Sequence, residues 1–116
     1  MRVVIDVDET ITAMPPFFSW LSKALLGDGH EVVILTVRRD RDDTVRMLER
    51  LGVVFDRLEV PPPGVEHALN WKVARAQEIA PDVIFDDCLD VANALGVGTL
   101  ALVPRDPELG RLDYVE

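Results

Sequence analysis

The chain is predicted to adopt an α/β fold: a three-layer α/β/α sandwich built on a Rossmann-like parallel sheet of about five strands. Three observations carry this. Short apolar runs recur, the first at Val3-Val4-Ile5 and the next across residues 32–37. They are rich in β-branched residues, too short for helices, and read as strands buried on both faces. Segments with apolar residues at helical spacing separate them, so strands and helices alternate along the chain. Parallel neighbours need crossover connections, and helices of this length supply them with right-handed chirality.

Strand one is expected at residues 3–7. Residues 10–16 read as irregular, because Pro15 and Pro16 force an extended or turning path. A helix follows with Phe17, Leu21 and Leu25 on one face, and Gly27-Asp28-Gly29 stops it. Strand two covers residues 32–37. Asp40, Asp42 or Asp43 can cap the next helix. Its inner face is Val45, Leu48 and Leu51, and Gly52 ends it. A short strand near residues 58–60 leads into Pro61-Pro62-Pro63-Gly64, which reads as a stiff spacer. The following helix turns Leu69, Val73, Ala76 and Ala80 inward and closes at Pro81. Strand four is residues 83–85. A short helix carries Val91 and Leu95 and ends at Gly96. Strand five lies near residues 99–103, and the polar tail 104–116 suggests no element.

The 116 residues fit one domain, 1–116, large enough for one core. No apolar run is long enough to span a bilayer, and the N-terminus lacks a signal-peptide pattern, so no membrane association is expected. Cys88 is the only cysteine, which rules out an internal disulfide and makes a cytoplasmic setting the default. The formal net charge of -9 argues against non-specific nucleic-acid binding, which depends on Lys and Arg neutralising phosphates.

In open α/β sheets, ligands bind outside the carboxyl ends of the strands. The residues expected there are Asp6 and Asp8, Thr36 and Arg38, the proline loop, Asp86 and Asp87, then Pro104 and Arg105. Asp6 and Asp8 leave the end of a buried strand one residue apart. Two such carboxylates must meet water, a cation or a basic side chain. The chain has only two lysines, Lys23 and Lys72, and Lys72 can reach this edge. Several hard-oxygen ligands together suit Mg2+. A metal, a lysine and a hydroxyl can hold the oxygens of a phosphoryl group. One aspartate can then attack phosphorus, while the other moves protons.

These residues resemble the haloacid dehalogenase superfamily, in its small phosphatase branch. Asp6-Val7-Asp8-Glu9-Thr10 is similar to its first motif, Asp-x-Asp-x-Thr after strand one. Ile34-Leu35-Thr36 resembles the second, Lys72 the third, and Phe85-Asp86-Asp87 the fourth, in the family's order. The resemblance implies Asp6 as nucleophile and Asp8 as general acid/base. It implies Thr36 and Lys72 as phosphate holders. It also implies Mg2+ bound by the Asp6 carboxylate, the Asp8 backbone carbonyl and Asp86, with Asp87 or Asp90 as a further acid. Glu9 stands where the superfamily often has Gly. The short gaps between motifs leave no room for an inserted cap domain. An open site suits a phosphate on a large substrate, or closure by another copy in a homo-oligomer. The layout around Arg38 and Asp86-Asp87 also resembles the phosphatase domain of polynucleotide kinases, so a nucleotide or nucleic-acid end is expected among the substrates, beside phosphoproteins.

Each residue also has a plainer reading. Thr36 could serve only β-propensity, Lys72 could be a solvated helix lysine, and Asp87 could cap the next helix. Arg38, Arg39 and Arg41 could be a solvated charge run. Trp20 and Trp71 read as core or helix-packing residues, Phe17 and Phe18 as core or site rim, and Cys88 as a small buried residue. His30 and His67 read as unpaired surface residues. The rival function is a non-enzymatic phospho-receiver or phosphate-binding module. The order along the chain argues against a receiver, because Lys72 precedes Asp86 and the third strand ends in Val60 and prolines.

Overall fold

The computed structural model describes residues 1–96 and 98–103. Its elements in chain order are β1 (Arg2–Ile5), α1 (Pro15–Gly27), β2 (Glu31–Leu35), α2 (Arg41–Arg50), β3 (Arg57–Glu59), α3 (Ala68–Ile79), β4 (Val83–Phe85), α4 (Leu89–Ala94) and β5 (Leu100–Leu102). The five strands form one parallel sheet in the order β3-β2-β1-β4-β5. Two successive crossovers move outward from β1 to β3; the chain then returns to the other side of β1 and runs out to β5. The direction reverses between β1 and β4, the topological switch point of such sheets.

Side chains alternate across each strand and so feed two cores. Val3, Ile5, Val32 and Ile34 pack with Phe18 of α1 and Leu48 of α2. Val4, Val33, Leu35 and Ile84 pack on the opposite face with Ala76 and Ile79 of α3 and Val91 of α4. The outcome is the expected three-layer α/β/α sandwich. The connection from β1 to β2 holds a turn and α1, and the stretch from β2 to β4 holds only α2, β3 and α3. Among the described residues no inserted domain stands over the strand ends. No described helix is long and apolar enough to cross a membrane.

Several local expectations change. β1 ends at Ile5, before Val7, because the chain closes a wide turn over Val7–Ile11 with Thr12 N–H donating to Val7 C=O at 3.1 Å. Pro15 and Pro16 begin α1 instead of breaking the chain, since the first helical turn needs no N–H donor from them. Asp40 is the residue that caps α2, accepting from Asp43 N–H at 2.9 Å. α3 is rotated from its expected face: Lys72, Ala76 and Ile79 are buried, while Leu69 is 39% exposed and Ala80 lies outside. Trp20 is 63% exposed and so is not a core residue, whereas Trp71 packs against the second core. His30 is not unpaired; it contacts the Met1 amino group and Asp28. Cys88 is half-buried, not buried.

The proline stretch makes a tight turn, with Val65 N–H donating to Pro62 C=O at 3.3 Å and Gly64 at φ +90°. Pro63 then Gly64 at the two central positions is the type II pattern, which needs a positive φ at the second. Pro104 and Arg105 lie outside the described residues.

Ile5 is fully buried at the centre of the sheet. Ile5→Ala should cost about 2–5 kcal/mol in chemical denaturation, and Trp20→Ala only about 0.5 kcal/mol or less. Equal costs would misplace the core.

Candidate active site

Register decides which side chains meet at the switch point. Ile5 of β1 pairs with Ile34 of β2 on one side and Phe85 of β4 on the other. Asp6 and Asp86, the next residues, therefore leave adjacent strands together. Asp6 N–H still donates to Phe85 C=O at 2.9 Å, and Asp86 N–H donates to Leu102 C=O at 3.1 Å. Both carboxylates are buried, at 5% and 1% exposure.

Lys72 supplies the countercharge. It is only 3% exposed, and its Nζ lies 2.6 Å from Asp6 Oδ1 and 2.7 Å from Asp86 Oδ2. The buried face of α3 therefore carries Lys72 with Ala76 and Ile79, because two buried acids need a cation. Removing one partner of such a group leaves an uncompensated buried charge. Burial opposes the lysine's charge, but Asp6 and Asp86 together outweigh it and hold its pKa above the ordinary value. The reading of Lys72 as a solvated helix lysine is thereby excluded.

Asp6 is further held by Thr10, whose Oγ1 donates to its Oδ2 at 3.1 Å. Thr10 is fully buried and was not singled out as a site residue, although its motif position was the available signal. Asp86 Oδ1 accepts from Cys88 N–H at 2.9 Å, which ties the strand end to the start of α4. Asp86 Oδ2 is buried and accepts no hydrogen bond of good geometry; its contact with Lys72 is ionic.

Asp87 joins this group. Oxygens from Asp6, Asp86 and Asp87 all lie within 4.8 Å of one another. Asp87 is exposed and does not cap α4, whose N-cap is Cys88 without a side-chain bond. Asp90 is outside the cluster. The Asp8 carboxylate is outside it too. Asp8 instead receives the Arg38 guanidinium, with Nε 3.0 Å from Oδ2 and Nη2 2.9 Å from Oδ1. This two-point fork raises the Arg38 pKa above its already high value. Thr36 is fully buried at the end of β2, and its Oγ1 accepts from Arg38 N–H at 3.1 Å. It does not line the cleft.

That cleft, about 300 Å3, is lined by Asp6, Asp8, Glu9, Val37, Leu69, Lys72, Asp86, Asp87 and Cys88. Glu9 sits at φ +61°, in the left-handed region that costs a side chain about 1–2 kcal/mol. Its N–H donates to Thr12 Oγ1 at 2.9 Å, which holds the turn. Phe18 is buried edge-on against Phe85, with ring centroids 5.4 Å apart, so it is core and not rim.

Burial raises the Asp6 pKa, Lys72 lowers it and Asp86 raises it again, leaving it at about 7 against an ordinary 3.8. A folded-state value above the unfolded one favours the neutral acid. The resulting stability is full below about pH 4 and is lost as pH rises through about 7. In metal-free protein, the melting temperature of Asp6→Asn relative to wild type should therefore rise between pH 5 and pH 8. A pH-independent difference would contradict the shift. Glu9→Gly should stabilise the fold by about 0.5–1 kcal/mol in denaturant titrations, the released strain exceeding the entropic cost of glycine; a loss of stability would show that Glu9 makes compensating contacts.

No family model and no curated protein matches the chain. Two solved structures do. A chain of a Pnkp1/Rnl/Hen1 complex superposes with a TM-score of 0.68 at 17% identity, over 88% of this chain and 45% of its own length. A chain of a Pnkp1/Rnl/Hen1 RNA repair complex superposes with a TM-score of 0.64 at 17% identity, over 90% of this chain and 43% of its own. The chain thus spans less than half the length of the proteins it matches, and the likeness is one of fold.

Proposed function

We propose that the chain is a Mg2+-dependent phosphomonoesterase of the haloacid dehalogenase type, folded as a single domain, with Asp6 as nucleophile. The observation that carries this reading is the buried Asp6–Lys72–Asp86 group at the switch point, opening on a solvent-accessible cleft. A structural ion pair would not need a second buried acid or an exposed third one.

The acid group fits a divalent cation. Its donors are hard oxygens within 4.8 Å of one another, and one buried oxygen still lacks a hydrogen bond. Asp6, Asp86 and Asp87 would hold Mg2+, with Asp8 contributing through its backbone carbonyl. When bound, the ion neutralises charge on the acids and on the phosphoryl oxygens.

The remaining work falls to the chain's own side chains. The Asp6 carboxylate attacks phosphorus and the ester P–O bond breaks. Asp8 gives its proton to the departing alcohol oxygen. A water then attacks phosphorus and returns a proton to Asp8; the Asp6–phosphorus bond breaks and inorganic phosphate leaves. Lys72 binds phosphoryl oxygens, Thr10 orients Asp6, and Thr36 stands behind the cleft, where its hydroxyl accepts from Arg38 N–H. Arg38 binds the same phosphoryl group by exchanging its fork from Asp8, which frees Asp8 for proton transfer.

The strand order supports this reading over a receiver. Receiver-type sheets run 2-1-3-4-5, whereas this one runs 3-2-1-4-5. The candidate substrates are nucleotides, nucleic-acid ends and phosphoproteins. The RNA-repair setting of one structural neighbour puts the nucleic-acid class first for testing, and the occurrence of both in multi-protein complexes makes a macromolecular partner part of the proposal. A cytoplasmic location and closure of the open cleft by a second copy belong to the same reading.

Purified protein should release phosphate from an aryl phosphate with Mg2+ and stop on chelation. Asp6→Asn should fall to background, and Asp8→Asn should lose about 10²–10⁴-fold in kcat. Equal turnover by wild type and Asp6→Asn would rule out the covalent route. Phosphate binding without any turnover would favour the phosphate-binding module.

A further inference from the structure

The acidic floor is only part of the cleft. Its apolar lining comes from Val37, Leu69 and, in part, Cys88. Val37 directly follows the end of β2, and Leu69 lies one turn before Lys72 in α3. Two separate elements therefore bring an aliphatic side chain to the acid group. They are 38% and 39% exposed, with open space before them. Leu69, in the first turn of α3, and Lys72 are three residues apart and share one face of the helix, which brings both to this space.

Lys72 is the one cation among the residues that line the cleft, and it is held by Asp6 and Asp86; the exposed charges of the lining are acidic. Glu9 and Asp87 are exposed and line it, and among the described residues neither forms an ion pair. The three arginines after β2 do not line it. Arg38 is engaged by Asp8, Arg39 donates to Glu66 C=O at 3.4 Å, and Arg41 donates to Leu58 C=O. If Arg38 turns to the reacting phosphoryl group, no described cation lining the cleft remains for a second phosphate. Glu9 keeps an acid in a left-handed conformation that glycine would adopt without strain. Strain held at a cleft in this way points to a use for the side chain.

We propose that Val37 and Leu69 seat the uncharged half of a small phosphomonoester, and that Glu9 turns away substrates carrying further phosphates. This rests on the phosphomonoesterase reading of the same cleft; of its candidate substrates it keeps the nucleotides and sets the nucleic-acid ends aside. The favoured substrates are monoesters whose alcohol part is neutral and presents an apolar face, such as aryl or nucleoside monophosphates. Polyphosphates and strand ends flanked by phosphodiesters are disfavoured.

Phosphonates test this without turnover. Calorimetry with the intact chain and Mg2+ would compare methylphosphonate, phenylphosphonate and benzene-1,4-diphosphonate. Phenylphosphonate should bind at least about ten-fold more tightly than methylphosphonate, and Val37→Ser with Leu69→Ser should bring that ratio near one. The second phosphonate should weaken binding at least about ten-fold. Glu9→Gln should recover part of that loss, and added salt should shrink it, as for any exposed charge repulsion. A phenyl-to-methyl ratio near one in wild type overturns the wall assignment. Tighter binding of the diphosphonate, or a penalty untouched by Glu9→Gln and salt, overturns the charge filter. These ratios stand apart from phosphate release: an inactive protein that shows them loses the phosphomonoesterase reading but keeps the ligand preference.

Discussion

Lys72 holds its ammonium between two buried carboxylates, 2.6 Å from Asp6 and 2.7 Å from Asp86. Much of the site follows from this contact. Without the lysine, two acids would leave adjacent strands into a space with little water, and the ends of β1 and β4 would repel each other. With it, the strand ends can close together and the acids become a usable electrostatic group. One positive charge against two negative ones still leaves an excess. That excess, together with burial, keeps Asp6 hard to ionise and makes the group receptive to a cation.

The sheet order places this group where the protein can use it. Crossovers that run outward from β1 in both directions leave a crevice over β1 and β4. The helices cover the two faces of the sheet but not its carboxyl edge, and no inserted domain covers that edge among the described residues. A buried charge cluster is thus open on one side. Burial strengthens its fields, while the opening leaves them accessible from solvent.

Asp8 shows a different kind of placement. It lies only two residues beyond Asp6, yet the wide turn over Val7–Ile11 carries it away from the buried acids and into the Arg38 fork. The turn requires a positive φ at Glu9, and Thr12 secures it. Two aspartates that look equivalent in the motif therefore have different surroundings. Asp6 is enclosed with a lysine and a second acid, and Asp8 is half-exposed beside an arginine. Division of roles between two carboxylates rests on such differences of environment.

The fold class was legible in the sequence because buried parallel strands need continuous β-branched runs, and the alternation of those runs with helical spacing leaves few topologies. Asp6, Lys72 and Asp86 could be brought together from the sequence because each stands at the end of a strand, or on the helix feeding one; Thr36, expected with them, does not line the cleft, and the Asp8 carboxylate pairs with Arg38 instead. What local pattern could not supply was the choice between equivalent candidates. Asp87 rather than Asp90 stands beside Asp6, because the strand end and not the helix faces the neighbouring acid. The inward face of α3 follows the demand for a buried countercharge, so hydrophobic periodicity alone misplaced Leu69 and Ala80. Trp20 is helix packing and not core for the converse reason: α1 buries Phe18 and Ser22 against the sheet and leaves the large indole outside, beside Phe17. The sequence by itself determined the architecture and the chemical inventory of the edge. Only the tertiary structure decided which side chains pair there, since pairing depends on register, helix rotation and burial across segments far apart in the chain.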